Sequence, residues 1–309
     1  MKIDEKEVKC MLNTEVNHMV PQKTKTGKFR SKKKKEKFIN TILFFILLIG
    51  SLIMIVPLLW MVSTSVKNKL DVFAMPPVWI PTEINWSKYS EIWTKGPLLN
   101  GLLNSLKVCL SVTIIGTFTS SLAAFAFAKL HFPYKNTIFL ALLGTMMIPF
   151  AIIMIPQFII FSKIGWVDTL KPLIIPGLFG NVSMIFFLRQ YMSGLPTDLI
   201  EAARIDGCSF FKIFYKIIFP LSGPAISAQI ILWFMAIWND YLAPSIYIST
   251  PEKMTIQTVI QSFNATYAIQ TDYPLIMAAS VMSMLPIIIV FIIFQKWIIE
   301  SIAISGVKG

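Results

Sequence analysis

Charged residues are scarce in this sequence of 309 residues, at 14% of the total, whereas hydrophobic residues reach 55%. Soluble globular domains carry roughly 25% charged residues. A deficit of this size excludes an ordinary soluble domain and predicts that much of the chain lies in lipid. The formal net charge of +12 raises the question of a nucleic-acid partner. Twelve of the 28 basic residues lie within residues 1–37, however, which indicates a basic tail beside a membrane and no nucleic acid.

Cysteine and histidine are also scarce. The three cysteines, Cys10, Cys109 and Cys208, are far apart, odd in number and outside any Cys-x-x-Cys pattern. We therefore predict free thiols rather than a disulfide or a metal site. The two histidines, His18 and His131, are 113 positions apart, so a histidine-based metal site is not expected either.

Six stretches without Asp, Glu, Lys or Arg are long enough to cross a bilayer, which takes about 17–25 helical residues. They contain 29, 21, 27, 17, 23 and 23 residues and lie at 38–66, 108–128, 136–162, 172–188, 217–239 and 273–295. We predict an all-α polytopic membrane protein with six transmembrane helices. The fourth stretch is interrupted by Pro176, Gly177, Gly180 and Asn181, which membrane helices tolerate where neighbours satisfy the backbone.

The distribution of basic residues predicts the orientation. With six spans, both termini and the loops 129–136 and 189–216 share one side, which carries 20 basic residues against 7 in the opposite loops. The positive-inside rule places that side in the cytoplasm. We expect three parts: a disordered cytoplasmic tail over 1–37, a transmembrane domain over 38–300, and a cytoplasmic C-terminal tail over 301–309.

The predicted cytoplasmic loop over residues 195–220 has a distinctive local pattern. Thr197 or Asp198 can cap a helix, and Asp198 and Glu201 have the three-residue spacing of a capping box. Gly207 supplies the left-handed residue that ends this helix. A second short helix follows, so the loop is predicted to be two helices joined by a glycine elbow. By composition alone, an ordinary amphipathic helix pair at the membrane surface fits equally well.

Residue spacing within the loop distinguishes these two interpretations. Glu-Ala-Ala is followed after three residues by Gly, and nine residues later by Ile, one residue, an apolar residue and Pro. The matching residues are Glu201, Ala202, Ala203, Gly207, Ile217, Phe219 and Pro220. This pattern resembles the EAA loop of permease subunits in ATP-binding-cassette importers, with Phe219 where leucine is usual. The resemblance implies the type I importer permease fold and an ATPase-docking surface formed by Glu201, Ala202, Ala203, Asp206 and Gly207.

The chain from about residue 38 to its end resembles the carbohydrate branch of this family, specifically the shorter six-helix permease of the maltose-transporter type. The motifs that carry this resemblance include Leu188-Arg-Gln190, Trp238-Asn-Asp240 and Gly306-Val-Lys-Gly309. Ala243-Pro244 departs from the Trp-Pro that is common there. The resemblance implies a bacterial plasma-membrane complex with a second related permease, two ATPase subunits, an extracytoplasmic solute-binding protein and a carbohydrate substrate.

The sequence lacks an ATP-binding motif, which agrees with ATP hydrolysis by separate subunits. No Gly-x-x-x-x-Gly-Lys-Ser/Thr phosphate-binding loop occurs in the sequence. We therefore expect that this chain is not an enzyme and has no catalytic residues, metal or cofactor. ATP and Mg²⁺ are expected on the partner ATPase subunits.

Candidate residues for the solute path are polar residues within or at the end of the predicted spans, because such residues usually face a bundle interior. They are Asn181, Asn239 and Asp240. Alternatively, Asp240 lies at the outer interface and Asn239 makes a bond between helices. Two other functions stay open: a same-superfamily permease for glycerol phosphate esters or peptides, and an ion-coupled secondary transporter. The latter usually has an ionisable residue at mid-membrane, whereas Asp240 comes at the end of its span.

Overall fold

The computed structural model describes residues 26–264 and 271–306, and every regular element within these ranges is helical. The α-helices in chain order are α1 (Thr26–Ser65), α2 (Ser87–Glu91), α3 (Leu98–Lys129), α4 (Lys135–Thr145), α5 (Phe150–Lys163), α6 (Lys171–Leu178), α7 (Val182–Ser193), α8 (Asp198–Ile205), α9 (Phe210–Ile213), α10 (Phe219–Leu221), α11 (Gly223–Trp238), α12 (Leu242–Tyr247), α13 (Ile256–Ser262) and α14 (Tyr273–Gly306). A π-helical turn, Phe214–Ile218, joins α9 to α10, and 3₁₀ turns cover Lys69–Phe73 and Pro251–Lys253.

Four helical segments in the described part are long and apolar enough to cross a membrane. They are Glu36–Ser65, Leu98–Lys129, Lys171–Ser193 and Tyr273–Lys296. Two bent helix pairs, α4 with α5 and α9–α10 with α11, bring the number to six if each pair is one span. The six predicted stretches thus all fall on helical segments, and the all-α membrane fold is confirmed.

The third stretch is a bent pair of helices rather than one straight helix. α4 ends at Thr145, α5 begins at Phe150, and the two axes differ by 93°. Pro149 precedes α5 with an extended backbone, φ −60° and ψ 139°. Proline lacks an N–H and disfavours helical geometry in the residue before it, so a continuous helix cannot pass through this position without a break.

The fourth stretch forms one span from two short helices, α6 and α7. The break lies where the sequence places it, at Gly180, whose φ of +111° is open to glycine and strained for other residues. A Cβ at Gly180 would lie 2.9 Å from the Ser120 hydroxyl. Glycine at this break therefore allows the backbone to turn while α3 passes close by.

Both chain ends differ from the predicted tails. α1 begins at Thr26, so residues 26–37 of the predicted disordered tail are helical, because lysine, arginine and glutamate extend an existing helix at little cost. Residues 1–25 lie outside the described residues. At the other end α14 continues to Gly306, which places most of the predicted tail over 301–309 in the last helix. Residues 307–309 also lie outside the described part.

The chain divides into two units, residues 1–59 and 60–309. In the first unit, the described side chains from 36 to 59 are all exposed. A helix that is apolar on every side is suited to lipid or to burial by other helices. In the second unit α3 is central and packs against α6, α7, α11 and α13, while α11 also packs against α14. Two apolar clusters, one at each end of α3, hold these helices together.

Candidate functional site

The coupling loop, residues 195–220, contains a helix that ends in a defined motif. α8 runs from Asp198 to Ile205, and Gly207 follows with a φ of +75°. The N–H of Gly207 donates to the Arg204 carbonyl at 3.0 Å, and the N–H of Cys208 donates to the Ala203 carbonyl at 2.9 Å. These two bonds form a Schellman motif, whose left-handed position favours glycine. The predicted glycine elbow is confirmed.

The predicted cap at the other end of α8 is wrong. Thr197 occupies the N-cap position with helical angles, φ −74° and ψ −28°, and its side chain makes no capping hydrogen bond. A capping side chain reaches the second or third helical N–H only from an extended backbone. Since Thr197 is already helical, its side chain does not cap the N-terminus of α8, and no capping box with Glu201 forms there.

One face of α8 packs against the rest of the chain. Ile200 and Ala203 are 6% and 7% exposed and belong to a core cluster with Ile213, Phe214 and Ile218 of the following helical turns. The prediction that Ala203 presents its small side chain to a partner therefore needs correction. Residues three apart share a helix face, and here Ile200 draws Ala203 inward with it.

The opposite face of α8 is available to a partner. Glu201, Ala202, Asp206 and Gly207 are exposed, and their docking to an ATPase stays a prediction. Ile205 lies among them with 87% of its surface exposed, although the sequence interpretation did not select it. The helical period could have indicated this exposure, because a helix that buries positions 200 and 203 turns position 205 away from the buried face. The exposed face thus has an apolar centre edged by carboxylates, as interface cores with polar rims have.

Two basic side chains make contacts beside the coupling loop, and one of them reaches the loop itself. The Lys129 ammonium at the end of α3 donates to the Leu195 carbonyl at 2.6 Å. The Arg189 guanidinium near the end of α7 lies 4.1 Å from the centroid of the Phe139 ring in α4. Lys129 thus holds the start of the loop against α3, and Arg189 holds α7 against α4.

A π-helical turn connects the loop to the fifth span. Pro220 cannot donate to the carbonyl four residues earlier, and its ring would clash with that carbonyl in a regular helix. The backbone widens into the π turn Phe214–Ile218 just before it. The helix axis then turns by 77° between α10 and α11. Such turns frequently mark functional sites, and this one lies between α8 and a membrane span.

We expect Ile205→Asp to weaken docking at the coupling loop without unfolding the chain. The side chain is 87% exposed, so the change removes apolar contact area and adds charge only at an interface. The amount of ATPase that copurifies with this chain should fall at least about tenfold, since charge burial costs more than the 1.4 kcal/mol of one tenfold step.

Leu70→Asp supplies the matched control for Ile205→Asp, because Leu70 is 88% exposed and lies outside the coupling loop. It should leave ATPase recovery unchanged. Equal recovery of ATPase with both variants would show that Ile205 is not part of the docking surface.

Among the three residues predicted for a solute path, the structure separates Asn181 from Asn239 and Asp240. The Asn181 side chain accepts the Met184 N–H at 3.0 Å as the N-cap of α7, and its own N–H donates to the Ser120 hydroxyl at 2.9 Å. Asp240 shares a small cavity with Ser105. Ser105 and Ser120 are about 22 Å apart along α3, so Asn181 and Asp240 do not form one binding site. Asn181 has a local structural role in starting α7.

Asn239 and Asp240 lie at the end of α11. The Asn239 amide donates to the Met235 carbonyl at 2.9 Å, and its Oδ1 accepts from Gln257 of α13 at 3.4 Å. This supports the alternative in which Asn239 links helices. The Asp240 carboxylate accepts the Ala243 N–H at 3.3 Å beside a cavity of about 80 Å³. Burial raises the pKa of this carboxyl above its ordinary value.

A carboxylate clip joins two loops at the same end of the bundle. Asp168, with a φ of +59°, accepts hydrogen bonds from the Thr250 hydroxyl, the N–H groups of Thr250 and Ser249, and the Lys253 ammonium. These bonds, the Thr250 hydroxyl foremost, lower the pKa of Asp168 below its ordinary range. The clip fixes the loop before α6 to the loop before α13. No group of three His, Cys, Asp or Glu side chains suited to a metal occurs in the part of the chain that the structure describes.

The fold and the coupling loop together define a membrane permease subunit. The family model described as "Binding-protein-dependent transport system inner membrane component" matches residues 116–304, and the chain belongs to this family. The matched segment contains the coupling loop and all three candidate path residues. The expected family is thus confirmed, and with it a multi-pass inner-membrane protein.

Named relatives cover nearly the whole chain. The arabinooligosaccharides transport system permease protein AraQ of Halalkalibacterium halodurans is 32% identical over 277 residues, which cover 87% of this chain and 98% of the relative. The sn-glycerol-3-phosphate transport system permease protein UgpE of Yersinia pestis bv. Antiqua is 29% identical over 265 residues, covering 84% and 94%. A crystal structure of a bacterial ABC transporter that imports the acidic polysaccharide alginate is similar in fold, with a TM-score of 0.72, 22% identity and coverage of 85% and 98%.

Proposed function

We propose that this chain is one of two related permease subunits of an ATP-driven importer for oligosaccharides. The observation that carries the substrate class is the 32% identity to an arabinooligosaccharide permease over 98% of that relative's length. In the proposed complex a solute-binding protein delivers the sugar outside the cell. Two ATPase subunits, which hold the ATP and Mg²⁺, bind on the cytoplasmic side, where both termini of this chain also lie. This chain itself performs no catalysis.

The coupling step is proposed to act through the exposed face of α8. Closure of the ATPase dimer moves the docked helix, and the buried face with Ile200 and Ala203 transmits that movement into the helical bundle. Glu201 and Asp206 make polar contacts with the ATPase, while Ala202 and Gly207 permit close approach. The support for these roles is the exposure of the four residues and the Schellman motif at Gly207.

A glycerol phosphate ester is the second candidate substrate, because a relative with that named substrate is 29% identical. An anionic phosphate favours a basic partner in the permease. Lys107 is exposed within α3, the central helix, and is the tenth residue of that helix. The other charged groups at this end include the Asp240 carboxylate, which opposes an anion. The neutral oligosaccharide is therefore the first candidate.

The substrate class is tested by purifying the complex through this chain, together with its binding protein, and measuring ATPase activity. We expect stimulation by at least one pentose or hexose oligosaccharide, with arabinotriose and maltotriose as the first probes. The same assay without the binding protein is the control and should show no stimulation. Stimulation by sn-glycerol 3-phosphate and by no sugar would contradict the carbohydrate assignment while leaving the importer assignment intact.

A further inference from the structure

A second cavity, separate from the Asp240 cavity, opens beyond the end of α11. Its volume is about 220 Å³, and we call it the Tyr241 pocket. It is lined by Tyr241, Ser245, Ile248, Met254, Thr258, Gln261 and Ser262. Five of these residues carry hydroxyl or amide groups and none carries a formal charge. The pocket therefore offers hydrogen-bonding groups without a fixed charge.

Two helices form the walls of the pocket. Ser245 belongs to α12, whereas Thr258 and Gln261 belong to α13. The bond from Gln257 to the Asn239 side chain connects α13 to the end of α11 near this pocket. The Gln261 Oε1 accepts a hydrogen bond from the Asn264 amide at 3.1 Å, which fixes the direction of the Gln261 amide. The Gln261 amide is thus held in place before a ligand arrives.

Tyr241 gives the pocket an aromatic surface. Its side chain is 45% exposed, so the ring is available for contact beside the polar wall. An aromatic ring packs against the apolar C–H face of a sugar. The hydroxyls of Ser245, Thr258 and Ser262 donate to backbone carbonyls of their own chain segments, which leaves their oxygens to accept from sugar hydroxyls. A charged ligand would need an opposite charge in the lining, and none is present. The chemistry fits a neutral polyhydroxylated ligand.

The size of the pocket limits what it holds. Cavities that enclose drug-sized ligands measure roughly 300–1,000 Å³, so a cavity of about 220 Å³ suits one sugar unit rather than a chain. We propose that the Tyr241 pocket is a subsite that captures one neutral sugar unit as the oligosaccharide leaves its binding protein. This inference rests on the proposed function, since it needs a sugar substrate and an outward-facing end of α11.

The experiment uses the complete complex in liposomes that contain ATP, with the binding protein outside and radiolabelled arabinotriose or maltotriose as the probe. Two quantities are measured: the concentration of sugar-loaded binding protein that half-saturates ATPase activity, and the sugar imported per ATP hydrolysed. Tyr241→Ala should leave the half-saturating concentration of loaded binding protein unchanged. It should lower the sugar imported per ATP about three- to tenfold, the range expected for loss of one aromatic contact. Tyr241→Phe should restore most of the import, because the ring remains.

Leu242→Ala is the matched control, since Leu242 is 49% exposed at the neighbouring position and does not line the pocket. It should match the wild type in both measurements.

A rise in the half-saturating concentration for Tyr241→Ala with unchanged sugar per ATP would assign this surface to binding-protein contact and overturn the subsite. No change in either quantity would also overturn it. If the wild-type complex imports neither sugar but imports sn-glycerol 3-phosphate, the proposed substrate class fails instead, which is a distinguishable result.

Discussion

Gly207→Arg is expected to abolish ATP-driven transport while the permease remains folded in the membrane. The residue has a φ of +75°, where a side chain costs roughly 1–2 kcal/mol. A Cβ at this position meets no atom within 4 Å, so the new side chain projects outward and creates no clash inside the chain. It would occupy the space in which a partner approaches the α8 elbow. Transport should fall at least about a hundredfold, and copurification of the ATPase should fall with it.

Gly165→Arg provides a control with the same backbone cost. Gly165 has a φ of +69°, and a Cβ there also meets nothing within 4 Å. It follows α5, outside the coupling loop, so this variant should retain the ATPase. If Gly207→Arg transported at the wild-type rate, the docking assignment of the EAA loop would be wrong. Equal losses in both variants would indicate backbone strain rather than a blocked interface.

Gly116→Val is expected to disrupt the packing at the centre of the helical bundle. A Cβ on Gly116 of α3 would overlap the Gly177 carbonyl of α6 and the Trp233 ring of α11. The carbonyl belongs to the backbone and cannot rotate away as a flexible side chain can. Overpacking of a core typically costs about 1–3 kcal/mol, and the fixed carbonyl places this variant at the upper end. Heating detergent-solubilised samples before size-exclusion chromatography should show a marked loss of intact protein.

Gly50→Val is the matched control for the packing prediction. Gly50 lies within α1, and a Cβ there meets nothing within 4 Å. Its thermal stability should therefore equal that of the wild type within a few degrees. An unchanged stability of Gly116→Val would show that α6 and α11 can move away from α3 at little cost, contrary to the close packing seen here.

In the coupling loop, local sequence information was enough to predict a backbone motif but not to predict which side chains form the exposed surface. The left-handed elbow followed from Gly207 alone, because glycine is the residue that accepts such a conformation without cost. The roles of Ala202 and Ala203 could not be separated in that way. Both are small, and only the packing of Ile200 into the cluster with Ile213 and Phe214 turns Ala203 inward.

The solute path could not be predicted from polar residues alone. Asn181 bonds to Ser120 of α3, whereas Asp240 shares a cavity with Ser105, far from Ser120 along the α3 axis. The Tyr241 pocket combines residues before and after a loop, so no contiguous motif indicates it. Side chains from different elements come together only when the helices pack.

The sequence by itself determined that this is a polytopic helical membrane protein whose loop over residues 195–220 contains a glycine elbow. Charge-free length, basic flanks and glycine chemistry are properties of single segments, and the family match agrees with them. Only the tertiary structure decided the burial of Ala203, the separation of Asn181 from Asp240 and the walls of the Tyr241 pocket. Those features depend on which faces of neighbouring helices bury each other, and packing between distant segments sets that outcome.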